Sequence, residues 1–360
     1  MTSREVYVRV PADILACVTE TDPIAERVHS LAPSGARVLV TGGSGFIGTN
    51  LVGFLRASRV QAVLNIDIAR PRNEEHAAMW TRLDIRDASA LTDVVATFQP
   101  DAVFHLGART DLHGSQLAQY DANTTGTSNV IAALLALDRP SRAVFASSRL
   151  VCHIDYQPKA EDDYAPTTTY GESKVETERI VRREAGELGW VMVRPTSIWG
   201  PWFATPYRDF FEAIDHRRYA HPSGVRVKKS FGFVGNTVYE LDRLMFGGGL
   251  EQLSHRTIYL ADYPPLDVLR WAILIADQMR RRRPPSIPQP VLRMGAIAGD
   301  FAQRLGMREP PLTSFRLHNL VTEMTYDTDP LEEVVGDLPF SLEDGVAITV
   351  DWLRSHGRAV

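Results

Sequence analysis

A glycine-rich turn between an apolar run and an amphipathic segment constrains this sequence more than any other feature. Residues 37–40 are largely apolar, as in a buried strand, residues 46–56 carry the periodicity of a helix, and residues 62–66 form a second apolar run. Strand, glycine turn, helix and strand in that order are typical of a βαβ unit. The turn reads Thr41-Gly42-Gly43-Ser44-Gly45-Phe46-Ile47-Gly48.

This turn has the placement that a dinucleotide fingerprint requires. Gly42 can make the tight turn, Gly45 lets a pyrophosphate approach the backbone, and Gly48 permits close packing of the helix. The N-terminus of the helix also favours the negative charge of phosphates. We therefore predict cofactor contacts from Gly42, Gly45, Phe46, Ile47 and Gly48.

The second apolar run is followed by an acidic residue, Asp67. A carboxylate at this place accepts hydrogen bonds from the adenosine ribose hydroxyls and repels a 2′-phosphate, so the sequence favours NAD over NADP. Arg70 lies nearby, and we expect it to be a solvated loop residue.

Strand-like and helix-like segments alternate as far as residue 195, which indicates an α/β fold with a doubly wound parallel sheet of the Rossmann type. Beyond it no regular repeat is visible before a helix-like segment at 342–353. We expect an N-terminal extension at 1–35 with a helix near 22–31, an NAD-binding Rossmann domain at 36–195, and a smaller irregular substrate-binding lobe at 196–360, some segments of which return to the Rossmann domain. The further predicted segments are a short strand ending at Leu83, a helix at 89–98, a strand at 102–106, a long helix at 117–137, a strand at 142–146, a helix at 169–187 and a strand at 190–193.

Composition narrows the classes of partner. The chain has 360 residues, of which 44% are hydrophobic and 23% charged, with a net charge of −5, and so lacks the basic excess of a nucleic-acid binder. The two cysteines, Cys17 and Cys152, have no spacing that suggests a disulfide framework or a metal site. No apolar stretch approaches the length of a membrane span. We expect a cytoplasmic enzyme with a small-molecule substrate, no metal, and no nucleic-acid or membrane partner.

Further short motifs follow the glycine turn along the chain. They are Asp84-Ile85, His105-Leu106-Gly107-Ala108, Asn123-Thr124-Thr125-Gly126-Thr127, Ser147-Ser148, Tyr170-Gly171-Glu172-Ser173-Lys174 and Arg194-Pro195-Thr196-Ser197-Ile198-Trp199-Gly200-Pro201. In this order they resemble the extended short-chain dehydrogenase/reductase family, in particular its NAD-dependent sugar epimerase/dehydratase branch. The resemblance covers nearly everything from residue 36 to about 355 and also implies a homodimer.

The resemblance assigns roles to single positions of these motifs. Catalysis is assigned to Ser148, Tyr170 and Lys174. Further cofactor contacts are implied for Asp84, Ile85, Leu106, Ala108, Asn123, Ser147, Tyr170, Lys174 and Pro195.

Tyr170 and Lys174 stand four residues apart on a predicted helix and therefore share one face. An unperturbed tyrosine side chain has a pKa of about 10. It acts as a base near neutral pH only if a positive charge stabilises its phenolate, and Lys174 together with the nicotinamide ring of NAD⁺ can supply that charge. By the family match, Ser148 orients the substrate hydroxyl or carbonyl.

The substrate side departs from the family pattern. Sugar dehydratases of the family carry an acidic pair after the catalytic hydroxyl, where this chain has Arg149 and Leu150, so dehydration is disfavoured. Lys229 stands where the family has a phosphate-binding arginine, and Ser197 where asparagine is usual. Arg316 is the candidate for a second arginine of the family. We predict substrate contacts from Arg109, Asp111, Ser148, Ser197 and Lys229.

Three functions remain open from the sequence. The first is a nucleotide-sugar epimerase in which Tyr170 serves as acid and base and bound NAD holds the hydride transiently. The second is a net NAD-dependent dehydrogenase or ketoreductase acting on a sugar nucleotide, a steroid-like alcohol or a secondary-metabolite alcohol. The third is a non-catalytic NAD-binding sensor. The first two use the same residues and differ in whether the reduced cofactor is released.

Overall fold

The structure is a computed structural model that describes residues 24–356 except 59, 61, 140, 308, 309 and 311. Cys17 and most of the predicted N-terminal extension lie outside the described residues. The expected helix near 22–31 is wrong in its described part, because the chain makes only a turn at 24–27 and continues without helical structure.

A seven-stranded parallel sheet forms the centre of the fold, with the strand order β11-β6-β5-β4-β1-β2-β3. Helices cover both faces, and each face has its own apolar core. The doubly wound fold is thus confirmed. The strands of this sheet are β1 Arg37–Thr41, β2 Ala62–Asp67, β3 Trp80–Arg82, β4 Ala102–His105, β5 Arg142–Ala146, β6 Gly189–Pro195 and β11 Thr257–Leu260.

The helices between the first six strands follow the predicted order with one exception. The long helix predicted at 117–137 is wrong, because the chain forms a short 3-10 turn at Leu117–Tyr120 and begins a helix only at Thr125. Asn123 occupies the break and hydrogen-bonds to residues outside this segment. The helices are α1 Phe46–Ala57, α2 Ala88–Phe98, α3 Thr125–Leu135 and α4 Thr169–Glu184.

The chain after β6 is more regular than predicted. A helix, α6, leads to β11, which pairs in parallel with β6 and adds the seventh strand to the sheet. No periodic pattern in the sequence indicates this return, because β11 has only four residues. The helices of this part are α5 Tyr207–Asp215, α6 Val234–Phe246, α7 Gly249–Gln252, α8 Val268–Gln278, α9 Gln289–Arg304, α10 Ser314–Val321, α11 Asp329–Val335 and α12 Leu342–His356.

Short strand pairs and an aromatic cluster hold the remaining segments together. The ring centroids of Trp199 and Trp271 are 5.2 Å apart, and Phe210 stacks on Trp271 at 4.7 Å. Trp199 and Trp271 are almost fully buried, so this cluster replaces a large sheet as the core of the second lobe. The paired strands are β7 Ser197–Trp199 with β10 Phe231–Phe233, β9 Lys228–Lys229 with β12 Leu266–Asp267, and β8 His221–Pro222 with β13 Ser286–Ile287.

Two carboxyl groups are buried beside α6. Asp262 accepts hydrogen bonds from the Phe233 backbone N–H (3.0 Å) and from the Asn236 side chain (3.1 Å), and burial raises its pKa to about 7. Glu240 is fully buried, and neither of its carboxyl oxygens has a hydrogen-bond partner within the described chain. Burial, and secondarily the charge of Asp262, holds the pKa of Glu240 well above its usual range.

We predict that Glu240→Leu increases the free energy of unfolding by about 1–3 kcal/mol at neutral pH, because it removes an unsatisfied buried polar group. The gain should grow as the pH rises from 4.5 to 7.5. A raised native pKa means that the unfolded chain releases the Glu240 proton first, so rising pH destabilises the wild type relative to the variant. Urea unfolding at both pH values measures this. Glu251→Leu at an exposed site is the control, and an equal gain there would contradict the prediction.

Candidate active site

The candidate site lies at the carboxyl edge of the sheet, where the ends of β1, β4, β5 and β6 meet. The 3-10 turn Arg149–Val151 follows β5 and places Ser148 beside the N-terminal end of α4. Tyr170 and Lys174 both belong to the first turns of α4 and are buried, as is Ser148. The three residues assigned to catalysis are thus brought to one place.

Tyr170 is a neutral phenol near neutral pH. Burial raises its pKa to about 12, a hydrogen bond with Ser148 acts in the opposite direction, and Tyr120 adds a smaller upward shift. The Ser148 hydroxyl also accepts a hydrogen bond from the Leu150 backbone N–H at 3.1 Å. Ser148 therefore has a fixed position between the strand end and the phenol.

Lys174 is anchored to the end of β5. Its Nζ donates to the Ala146 carbonyl oxygen at 2.8 Å. Burial lowers the pKa of Lys174 to about 8, and the charge of Glu178 opposes that shift. The group therefore remains mostly protonated at neutral pH, and its charge helps burial to lower the pKa of the neighbouring His105 to about 3.

A buried ion pair lies one helical turn beyond Lys174. Glu178 has no solvent exposure and accepts hydrogen bonds from Arg194 of β6, through Nε and a terminal nitrogen at 2.8 Å each. Ser147 donates to the same carboxylate at 2.6 Å and Tyr164 at 2.9 Å. These donors satisfy the buried charge and fix α4 against the sheet.

Glu178→Gln should lower the free energy of unfolding by about 3–5 kcal/mol, because it leaves the Arg194 guanidinium buried without its counter-charge. Glu176→Gln is the matched control on the same helix, since Glu176 pairs only with exposed arginines and such pairs contribute about 0–1 kcal/mol. Chemical denaturation of both variants measures the difference. Equal stability of the two variants would show that the pair does not hold α4.

The glycine turn has the shape that a pyrophosphate needs. Gly42 has a φ of +73°, and a Cβ atom there would lie 2.6 Å from the Gly107 backbone nitrogen. A Cβ at Gly48 would lie 2.2 Å from the Gly42 carbonyl oxygen. Gly45 begins α1 without a side-chain cap. The first N–H groups of α1, which include those of Phe46 and Ile47, therefore have no capping side chain and suit a phosphate.

Asp67 lies at the end of β2 next to this turn. Its carboxylate accepts hydrogen bonds from the Ser44 backbone N–H at 3.1 Å and from the Ala69 N–H at 2.9 Å. Arg72 donates to the Ser44 carbonyl oxygen and to that of Trp202. Burial lowers the pKa of Arg72, and the charge of Asp67 opposes that shift. The carboxylate is thus held at the place where an adenosine ribose is expected.

Other residues predicted to contact the cofactor have structural partners of their own. Asp84 forms an ion pair with Arg86 at 2.6 Å. Ile85 packs against Gly126, where a Cβ atom would lie 2.7 Å from its side chain. The hydroxyl of Ser147 is directed to Glu178. Leu106 and Ala108 follow β4, and Pro195 ends β6 at the same edge of the sheet.

Asn123 connects three segments of the site. Its side-chain oxygen accepts from the Arg109 backbone N–H at 2.7 Å, and its amide nitrogen donates to the Arg109 carbonyl oxygen at 3.0 Å and to the Ser173 hydroxyl at 2.9 Å. Asn123 is fully buried. It therefore positions the loop after β4 against α4.

Arg109 and Asp111 interact mainly with each other. The Arg109 Nε lies 2.7 Å from the Asp111 carboxylate, and a terminal nitrogen of Arg109 donates to the Gln119 carbonyl oxygen at 2.8 Å. The guanidinium also lies over the Tyr120 ring. These contacts hold the loop after β4 together.

Two cations, Lys229 and Arg149, lie close enough for the charge of one to act on the other. The Lys229 side chain is buried, and its Nζ donates to the Asn319 carbonyl oxygen of α10 at 2.7 Å. Burial lowers the pKa of Lys229 to about 8, and the positive charge of Arg149 lowers it further, while Asp155 acts in the opposite direction. Across the described chain, neither Arg149 nor Lys229 has a carboxylate within ion-pair distance.

Hydroxyl groups surround this cation pair. Burial raises the pKa values of Tyr207 and Tyr326, and the charge of Arg149 lowers both. A hydrogen bond with Ser197 also lowers the pKa of Tyr207, and one with Arg149 lowers that of Tyr326. The guanidinium of Arg316, the predicted second arginine, donates to the Pro310 carbonyl oxygen at 2.8 Å.

Sequence reasoning missed Arg149, Tyr207 and Tyr326 as members of this cluster. In the sequence, Arg149 stands out only because it occupies a position that is acidic in sugar dehydratases. The adjacency of Arg149 to Ser148 was the one available signal, since the tyrosines come from distant segments.

A separate cavity of about 360 Å³ between α1 and α12 is lined by Trp202, Trp352 and His356 among others, and by none of the predicted site residues.

The fold and the glycine turn define an NAD-dependent enzyme of the Rossmann type. A family model described as the NAD-dependent epimerase/dehydratase family matches residues 38–221. The chain therefore belongs to the NAD-dependent epimerase/dehydratase family.

Relatives of known name differ in substrate. The chain is 23% identical to N-acetyl-α-D-glucosaminyl-diphospho-ditrans,octacis-undecaprenol 4-epimerase of Escherichia coli O157:H7, over 89% of this chain and 96% of the relative. It is 28% identical to 2-alkyl-3-oxoalkanoate reductase of Stenotrophomonas maltophilia, over 86% of this chain and 97% of the relative. A solved UDP-glucuronic acid 4-epimerase of Bacillus cereus, with UDP-glucuronic acid and NAD, is similar at a TM-score of 0.63 and 17% identity, covering 88% of this chain and 99% of that one.

Proposed function

We propose that the chain is a nucleotide-sugar epimerase that inverts a carbinol centre. The observation that carries this proposal is the pair of cations formed by the buried Lys229 and the half-buried Arg149 next to Ser148, neither of which forms an ion pair with a carboxylate in the described chain. Phosphate oxygens reward charge-assisted donors, so such a pair suits a sugar diphosphate. The named activities of two of the relatives, both 4-epimerases, support the same reaction.

In this reaction Tyr170 transfers the proton to and from the substrate hydroxyl. NAD, when bound, supplies the hydride acceptor and donor. Tyr170 takes the proton of the substrate hydroxyl at its phenolic oxygen, and Ser148 orients that hydroxyl by hydrogen bonding. The pKa of Tyr170, about 12, must fall for this step. A positive charge nearby has that effect, and Lys174 on the same helix face carries one.

The same residues return the proton when the keto sugar is reduced on its other face. Dehydration needs an acid and a base next to the catalytic hydroxyl, and Arg149 and Leu150 supply neither. The alternative is a net dehydrogenase or ketoreductase, which one reductase among the relatives favours. The two functions differ only in whether NADH leaves the protein.

We predict isomer formation from UDP-sugars without added NAD⁺ and without net NADH. The purified protein is denatured, the released dinucleotide is identified, and product isomers are separated by chromatography. Tyr170→Phe should reduce turnover by about 10²–10⁴-fold, the usual contribution of general acid–base catalysis, with NAD still bound. Tyr239→Phe, a tyrosine of α6, is the control and should retain activity.

Two results would count against the proposal. Stoichiometric NADH production would favour the dehydrogenase. Unchanged function of the Tyr170→Phe protein would leave a non-catalytic NAD-binding sensor as the better description.

A second prediction concerns the cations Arg149 and Lys229. Lys229→Met and Arg149→Leu should each raise KM for the sugar diphosphate by about 10–100-fold, because each removes a charge-assisted hydrogen bond of about 1.5–3 kcal/mol. Lys228→Met is the matched control, since Lys228 is the exposed neighbour on the same strand. Steady-state kinetics measure the three variants. A KM unaffected by Lys229→Met would remove the phosphate role.

A further inference from the structure

Helix α9 carries an apolar stripe on its solvent side. Its five members are between 49% and 74% exposed and are spaced three or four residues apart, which places them on one face of the helix. At 1.5 Å per residue the stripe is about 21 Å long. Its residues are Val291, Met294, Ile297 and Phe301 of α9 together with Leu305, the residue that caps its C-terminus.

The opposite face of α9 packs against α10 in a small apolar cluster. Leu292 and Ala296 pack there with Leu317 of α10. A Cβ atom at Gly299 would lie 1.8 Å from the Leu312 carbonyl oxygen, so the contact on this side is close. The exposed stripe is therefore not needed to hold α9 in the fold. Met307 and Phe315 are also exposed and extend the apolar surface beyond the helix.

Basic side chains accompany the stripe. Arg293 and Arg304 lie along one edge of it, and neither forms an ion pair in the described chain. Asp300 lies between them on the same edge, where it accepts hydrogen bonds from the Ser314 backbone N–H and hydroxyl at the start of α10 and feels the charge of Arg304. If two copies paired through the stripe about a two-fold axis across the helix, Arg293 of one copy would come close to Arg304 of the other, and like charges would repel. Lipid phosphates complement the same arginines.

We infer that the outer face of α9 docks onto a membrane surface that contains anionic phospholipid. The helix lies in the plane of the interface, with the apolar stripe among the acyl chains and the arginines at the phosphates. None of the described helices is long and apolar enough to cross a membrane. The expectation of no membrane partner rests on the lack of a segment long enough to span a bilayer. A helix that lies on the membrane surface does not need such a segment.

Docking there would bring the candidate site to the membrane. α10 packs under α9, and its Asn319 carbonyl oxygen accepts the hydrogen bond from Lys229. The cation pair is thus connected to the docking face through one helix. The inference stands without the proposed function, because it concerns the surface of α9 and not the reaction.

Co-sedimentation of the full-length protein with vesicles tests the inference. Vesicles of phosphatidylcholine with phosphatidylglycerol are compared with vesicles of phosphatidylcholine alone. We expect binding to the anionic vesicles, reduced at least about tenfold in Phe301→Ser and further in Ile297→Ser/Phe301→Ser, since each change removes a large buried apolar side chain from the interface. Arg293→Gln/Arg304→Gln should reduce the preference for anionic vesicles.

Leu135→Ser is the matched control, because Leu135 is an exposed leucine on α3, outside this face. Circular dichroism and NAD binding check that the variants fold. Equal vesicle binding by the wild type and Ile297→Ser/Phe301→Ser would overturn the inference, as would no vesicle binding at all. Loss of a dimer in Phe301→Ser, seen by sedimentation velocity without vesicle binding, would instead identify a second copy as the occupant. Epimerase activity is read separately, so its failure leaves the vesicle result unaffected.

Discussion

The ion pair between Glu178 and Arg194 determines where helix α4 lies. Removing two charges from water costs several kcal/mol per ion unless further hydrogen bonds compensate for it. Here Ser147 and Tyr164 supply them, and Arg194 lies near the rings of Tyr164 and Tyr259. The pair thus connects the end of β5, α4 and β6 into one unit.

Helix geometry extends this constraint to the chemistry. Tyr170, Lys174 and Glu178 are spaced by four residues and lie along one face of α4. Once Glu178 is fixed by Arg194, Lys174 reaches the Ala146 carbonyl and Tyr170 reaches Ser148. Glu178 and Arg194 lie away from Tyr170 and Ser148, yet they set the position of Tyr170, because all three residues of the face belong to one rigid helix.

Local patterns account for what the sequence predicted well. The strand, glycine turn and helix at 37–57 depend on residues close together in the chain, and the strand and the helix each extend one residue further in the structure than predicted. The break before α3 depends instead on Asn123 hydrogen-bonding to Arg109 and Ser173, which no local pattern contains. β11 likewise depends on pairing with β6, more than sixty residues earlier in the sequence. The homodimer, the cytoplasmic location and the roles of individual site residues stay predictions.

Two buried lysines give the site its electrostatic character. Lys174 and Lys229 each donate to a backbone carbonyl, Ala146 and Asn319 respectively, and neither is paired with a carboxylate within the described structure. A carbonyl satisfies the hydrogen bond without cancelling the charge, so both positive charges remain, with pKa values lowered to about 8. Arg149 adds a third. The chain as a whole carries a net charge of −5, yet its candidate site concentrates positive charge between low-dielectric walls, an arrangement that attracts anionic ligands.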